Sequence, residues 1–241
     1  MTGTSRPLAL WAVPRSVSTA FERMMIERGD HTVLTEPFSV AYYFGPERRS
    51  ARFAGRTLPD STYDDVLEAI AGGEPPVFFK DMATHLGGRL TPETLGRWTN
   101  SFLIRDPAFT LPSLARVWPD FTDDEAGYAA QRHAFDAVAE LTGAAPVVID
   151  SDDLRARPPE VVAAWCAAME IDFDADALTW ESGMLDQWRL WEDWFASTAR
   201  TTGFVAPEAD ARPPAVDAAL QRRIDQAREH YEALRAHRLR P

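Results

Sequence analysis

The chain has 241 residues, with 37 acidic and 25 basic side chains and a formal net charge of −12. The acidic balance argues against a general binder of nucleic acid or of anionic membranes, since both need a basic face. The single cysteine, Cys166, excludes an intramolecular disulfide and a cysteine-based zinc site. The first apolar run, Leu8 to Val13, is too short for a secretion signal or a membrane span. We therefore expect a soluble, cytoplasmic protein.

Short apolar runs alternate with longer amphipathic segments as far as Ile171. The runs predict five strands, over 8–13, 31–34, 75–80, 101–104 and 146–149. The amphipathic segments predict helices over 18–28, 62–71, 107–116, 123–141 and 158–169. Strands that alternate with helices form a parallel sheet with helices on both faces. The expected fold is therefore an α/β three-layer sandwich around a central parallel sheet of about five strands.

The chain after Ile171 contains no predicted strand. A polar helix is predicted over 214–238, so the C-terminal part is expected to be rich in helix. Residues 37–61 and 203–214 have the composition of loops, but neither segment is long enough for an interdomain linker. We predict that residues 1–241 form a single domain.

The loop after the first strand has the sequence Pro14-Arg-Ser-Val-Ser-Thr19 and leads directly into a helix. Ligands of open parallel sheets bind at the carboxyl ends of the strands. Hydroxyls, backbone amides and Arg15 would surround an anion at this helix N-terminus. The loop lacks the Walker A pattern, and the chain has no glycine-rich dinucleotide fingerprint. Capping of the helix by Ser16 or Ser18 is the alternative, and it needs no ligand.

The fourth strand ends in Ile104-Arg-Asp-Pro107, and Ser113 follows Arg105 by eight residues. Taken alone, Arg105 could simply pair with a carboxylate. Together with the first loop, however, this pattern resembles the sulfotransferase family. The resemblance implies binding of 3′-phosphoadenosine 5′-phosphosulfate, with its 5′-phosphosulfate on the first loop and its 3′-phosphate on the arginine and serine.

Carried over residue by residue, the resemblance places a five-residue run around the 5′-phosphosulfate: Arg15, Ser16, Val17, Ser18 and Thr19. Arg105 and Ser113 fall on the 3′-phosphate. Many relatives carry lysine where Arg15 stands. The family's late Arg-Lys-Gly motif, which closes over the 3′-phosphate, is absent as such, and Arg200 in Arg200-Thr-Thr-Gly203 is a weak counterpart. The resemblance implies no metal.

Sulfuryl transfer to a hydroxyl benefits from a base that takes the hydroxyl proton. Two residues are candidates for this base. His85 follows the third strand, where many sulfotransferases carry Lys-Thr-His, although here an insertion separates it from Lys80. Glu36 follows the second strand, and some bacterial and heparan-type members use a glutamate. Lys80, the only lysine of the chain, is expected to assist the leaving oxygen, and Arg15 to stabilise charge on the departing phosphate.

The expected activity is sulfuryl transfer to a small-molecule alcohol or phenol. Two alternatives stay open, a nucleotide kinase or hydrolase of the P-loop type and a non-catalytic nucleotide-binding protein. Four tryptophans near the C-terminus are interpreted mainly as core, and three of them, Trp188, Trp191 and Trp194, as candidate walls of an acceptor pocket. The oligomeric state stays open, with a homodimer among the options.

Overall fold

The computed structural model describes residues 6–208 and 212–241. At its centre lies a five-stranded, all-parallel sheet in the order β2-β3-β1-β4-β5. The strands are β1 (Leu8–Ala12), β2 (Thr32–Thr35), β3 (Val77–Asp81), β4 (Thr99–Ile104) and β5 (Val147–Asp150). The predicted fold class is confirmed, and each strand lies within two residues of its predicted bounds.

Helices connect and follow the strands. They are α1 (Ser18–Arg28), α2 (Pro37–Phe44), α3 (Tyr63–Gly72), α4 (Pro92–Leu95), α5 (Pro107–Val117), α6 (Asp123–Ala126), α7 (Tyr128–Thr142), α8 (Ser151–Ala156), α9 (Pro158–Ala168), α10 (Glu192–Phe195) and α11 (Ala218–Arg235). Short 3-10 segments cover Ala83–Arg89, Asp176–Leu178, Asp186–Trp191 and Thr198–Arg200.

Three helices differ from the sequence prediction. The segment 37–61, predicted as a loop, begins with α2, whose first residue is the proline Pro37. The helix predicted over 123–141 is broken at Gly127, whose φ of 79° ends α6 in the left-handed conformation before α7 begins. The helix predicted over 214–238 is shorter, because α11 starts only after its N-cap, Asp217. Part of the predicted loop 203–214 lies outside the described residues.

Side chains that alternate along the strands build a core on each face of the sheet. In β1, Ala9 and Trp11 point to one face, whereas Leu8, Leu10 and Ala12 point to the other. Helices α1 and α9 cover the second face, and α5, α7 and α11 pack on the first. The three layers of the predicted sandwich follow from this two-sided burial.

A third, aromatic cluster joins α2 to the C-terminal part of the chain. Its buried members are Tyr42, Tyr43, Phe44, Trp188, Trp191 and Phe195. The cluster fixes the segment 186–195 against the sheet layers. Within residues 6–208 and 212–241, no helix has both the length and the apolar character needed to cross a membrane. The single-domain organisation stays a prediction.

Candidate functional site

An open cleft of about 250 Å³ lies at the carboxyl ends of the strands. Every strand sends the chain that follows it into the cleft wall, so the fold gathers distant parts of the sequence at one edge. The wall residues that follow the five strands include Arg15, Glu36, His85, Arg105 and Arg155. This edge is where ligands bind in open α/β sheets.

The loop between β1 and α1 has an unusual backbone. Arg15 and Val17 have φ values of 64° and 63°, a left-handed conformation that a β-branched valine rarely adopts. Successive turns of this kind aim backbone N–H groups at one point and make an anion-binding concavity. The capping alternative is not observed, because Ser16 Oγ donates to the Val13 carbonyl at 2.7 Å and the N-cap position belongs to Val17. The amino end of α1 therefore has no side-chain cap and lines the cleft.

The two motifs predicted to bind the donor are in direct contact. Arg15 Nε donates to Ser113 Oγ at 3.1 Å, and Arg105 Nη1 donates to the Arg15 carbonyl at 2.7 Å. Burial lowers the pKa of Arg15, and the positive charge of Arg116 lowers it further. Burial also lowers the pKa of Arg105, and Arg155 adds to the effect. A bound anion would stabilise the charged form of both guanidinium groups.

His85 is held by a carboxylate and lines the cleft. Its Nδ1 lies 2.7 Å from Asp81 Oδ1, and the other oxygen of Asp81 accepts the Phe38 backbone N–H at 2.7 Å. The Asp81 carboxylate favours a proton on Nδ1 and leaves the lone pair on Nε2. The Nε2 atom is buried and has no hydrogen-bond partner among the described residues. His85 therefore combines a position on the cleft wall with a ring nitrogen that no described residue hydrogen-bonds.

Glu36 lies on the same wall and is bound to the lysine behind it. Lys80 Nζ lies 2.5 Å from Glu36 Oε1 and 3.4 Å from Glu22 Oε2, and both Lys80 and Glu22 are fully buried. Burial alone would lower the pKa of Lys80, but Glu36 and Glu22 raise it above its ordinary value. Lys80 is not on the cleft wall. The Lys80 ammonium contacts Glu36 and Glu22 in this structure, and its expected role at the leaving oxygen stays a prediction.

Part of the cleft wall is aromatic. Trp191, Trp194 and Phe195 line it beside Tyr43 and Trp118. Two of the three tryptophans interpreted as candidate pocket walls, Trp191 and Trp194, thus line the cleft. The third, Trp188, is fully buried and donates from Nε1 to Glu22 at 2.7 Å.

The structure separates Arg200 from the other predicted residues. Arg200 is exposed and is not part of the cleft wall, although Thr201 and Gly203 are.

The sequence analysis did not identify two of the site residues. Asp81 directly follows Lys80 and stands four residues before His85, a spacing that could have indicated it. Arg155 comes shortly after β5, and the rule of strand ends could have pointed to it.

Comparison with known proteins identifies similar chains. A family model described as a sulfotransferase domain matches residues 7–238. Two Arabidopsis thaliana proteins, branched-chain-amino-acid aminotransferase-like proteins 2 and 1, are 27% and 26% identical over 82% of this chain. The aligned region covers 36% of each, so the chain spans just over a third of the length of these curated relatives.

Among solved structures, the sulfotransferase domain from the Synechococcus PCC 7002 olefin synthase superposes with a TM-score of 0.59. The match covers 96% of both chains at 16% identity. At this identity the likeness concerns the fold.

Proposed function

Since the chain belongs to the sulfotransferase family, whose model matches residues 7–238, we propose a specific donor and acceptor class for it. The donor is 3′-phosphoadenosine 5′-phosphosulfate, and the acceptor is the hydroxyl of a small alcohol or phenol. One observation carries this proposal. The β1–α1 loop, the pair Arg105 and Ser113, and the dyad of His85 and Asp81 lie in or directly behind the wall of one cleft.

In the proposed reaction, the acceptor oxygen attacks sulfur in line with the bond to the 5′-phosphate. The new bond joins sulfur to the acceptor oxygen, and the bond between sulfur and the phosphate oxygen breaks. His85 Nε2 takes the hydroxyl proton, and adenosine 3′,5′-bisphosphate leaves. Arg15 and the N–H groups of the β1–α1 loop stabilise the negative charge that develops on the phosphate.

We assign the base to His85 rather than to Glu36. His85 Nε2 has no hydrogen-bond partner in the described part of the chain, whereas one carboxylate oxygen of Glu36 is already bound by Lys80. The second oxygen of Glu36 has no hydrogen-bond donor among the described residues and is available to orient the acceptor hydroxyl.

The activity is tested by incubating the protein with the donor and a panel of phenols and aliphatic alcohols. The measurement is release of adenosine 3′,5′-bisphosphate. Release that depends on an acceptor supports the proposal. Tight binding of the bisphosphate with no turnover on any acceptor would favour the non-catalytic alternative, and absence of binding would contradict the donor assignment.

Arg105→Ala and Ser113→Ala are each expected to weaken the binding of adenosine 3′,5′-bisphosphate by about 10- to 100-fold. The reason is that a hydrogen bond to a charged group contributes about 1.5–3 kcal/mol. Adenosine 5′-phosphate should bind both variants almost as it binds the wild type, because it lacks the 3′-phosphate. Titration calorimetry on both nucleotides measures the difference.

Arg132→Ala is the control for this pair. Arg132 lies on α7 and forms a surface ion pair with Asp136 at 2.7 Å. The Arg132→Ala variant should bind both nucleotides like the wild type. If Arg105→Ala lost the same affinity for both nucleotides, the 3′-phosphate would have to bind elsewhere.

Arg15→Ala is expected to lower kcat more than it lowers affinity for the bisphosphate, because Arg15 is proposed to act on charge that forms during the transfer. Steady-state kinetics and calorimetry on the same variant separate the two effects. Turnover should also continue after a chelator removes magnesium. An absolute need for magnesium would instead support phosphoryl transfer.

A further inference from the structure

Three guanidinium groups lie on the cleft wall, those of Arg15, Arg105 and Arg155. The carboxylates on the same wall are Glu36 and Glu125, and each is already bound to a cation at 2.7 Å or less. The three arginines therefore have no free carboxylate beside them on the described wall, in a chain whose net charge is −12. A wall with this charge distribution suits a ligand with several negative charges.

Arg155 reaches the cleft from α8, which begins directly after β5. Its Nε and Nη2 atoms donate to the carbonyls of Val205 and Ala206 at 3.0 and 3.2 Å. The remaining nitrogen, Nη1, lies 3.8 Å from Asp152 Oδ1, which is too far for a hydrogen bond. This nitrogen forms only a long ion pair with Asp152 and donates no hydrogen bond to a described residue.

The carbonyls that Arg155 holds belong to a segment over the cleft, residues 201–206, which we call the closing segment. Thr201, Gly203 and Val205 line the cleft. On its other side, the closing segment is fixed by a backbone hydrogen bond of 3.1 Å from Trp180 N to the Thr202 carbonyl. Arg155 thus supplies the connection between the closing segment and the end of the sheet.

Arg155 also acts on Arg105. After burial, the positive charge of Arg155 is the main cause that lowers the pKa of Arg105, and the carboxylate of Asp152 opposes it. Arg105 Nε is buried without a hydrogen-bond partner among the described residues. A phosphate between the two side chains would satisfy this nitrogen and neutralise both charges.

We propose that Arg155 binds the 3′-phosphate of the donor together with Arg105 and holds the closing segment beside it. This inference rests on the proposed function. In this proposal Arg155 on α8, rather than Arg200, supplies the additional positive charge at the 3′-phosphate.

The test compares Arg155→Ala, Arg155→Lys and Arg157→Ala by calorimetry with adenosine 3′,5′-bisphosphate and adenosine 5′-phosphate. Arg157 is the matched control, because it is exposed, follows α8 directly, and donates to the Pro241 carbonyl at 2.9 Å. We expect Arg155→Ala to lower the affinity for the bisphosphate by about 10- to 100-fold and the affinity for the monophosphate much less. Arg155→Lys should recover part of the loss, since it keeps the charge, and Arg157→Ala should bind both nucleotides like the wild type.

Hydrogen exchange supplies a second readout. In Arg155→Ala the amides of the closing segment should exchange faster in the presence of the bisphosphate, while those of β1 keep their protection. Loss of protection in β1 as well would assign the binding loss to a damaged fold and overturn the proposal. Bisphosphate affinity in Arg155→Ala equal to that of Arg157→Ala would also overturn it. A wild type that binds neither nucleotide would instead remove the proposed function itself.

Discussion

Replacing His85 with alanine is expected to lower kcat by about 10²–10⁴-fold while donor affinity stays near that of the wild type. The reason is that Nε2 of His85, held in position by Asp81, is the proposed acceptor of the hydroxyl proton. Steady-state kinetics, with calorimetry of the bisphosphate, measures both effects.

Two further variants separate His85 from Glu36. Asp81→Asn should also lower kcat, since it removes the carboxylate that fixes the Nδ1 proton. Glu36→Gln should have the smaller effect on kcat. The reverse order, with the large kcat loss in Glu36→Gln and a small one in His85→Ala, would show that Glu36 is the base. His133→Ala, at an exposed site on α7, is the control and should leave kcat unchanged.

Replacing Lys80 with methionine is expected to destabilise the fold by about 3–5 kcal/mol, the usual cost of removing one partner from a buried ion pair. The side chains are of similar length, so the loss arises mainly from the charge. Without the ammonium, Glu22 and Glu36 would place two carboxylates close together with no cation, Glu22 fully buried and Glu36 nearly so. Equilibrium unfolding by denaturant at neutral pH measures the difference.

The double variant Lys80→Met with Glu36→Gln should be more stable than Lys80→Met alone, because it removes one of the two uncompensated charges. The pH dependence gives a second check. The pKa of Lys80 is raised in the folded chain, so its stabilisation is complete below the unfolded value, about 10.4, and is lost as the pH rises through the folded value. The stability gap between wild type and Lys80→Met should therefore shrink in strongly alkaline solution. A gap that is small at neutral pH would contradict the proposed role of the buried pair.

The fold could be predicted wherever burial imposes a regular pattern. The bounds of α1 match the prediction because Phe21, Met24 and Met25 repeat at helical spacing and Gly29 ends the helix. Helix α2 was missed because most of its side chains are buried on every side, so the run Pro37 to Phe44 shows no amphipathic periodicity. A short helix that is buried on nearly every side gives no periodic pattern of polar and apolar residues.

The site could be predicted in part. The rule that ligands bind at strand ends indicated Arg15, Glu36, His85 and Arg105 before their contacts were known. The environment of Lys80 could not be predicted, because its partner Glu22 lies on α1 and the contact depends on how that helix packs against β3. Sequence spacing describes neighbours along one element, whereas this contact joins two elements.

The burial of Lys80 has a practical consequence. It is the only lysine of the chain, and in the folded state its amine is fully enclosed beside α1 and α2. Reagents that acylate primary amines therefore find no lysine on the surface of this protein. Acylation of Lys80 requires opening of the structure around β3, so its rate, followed by mass spectrometry of the peptide that contains it, measures how often that part of the core opens under native conditions.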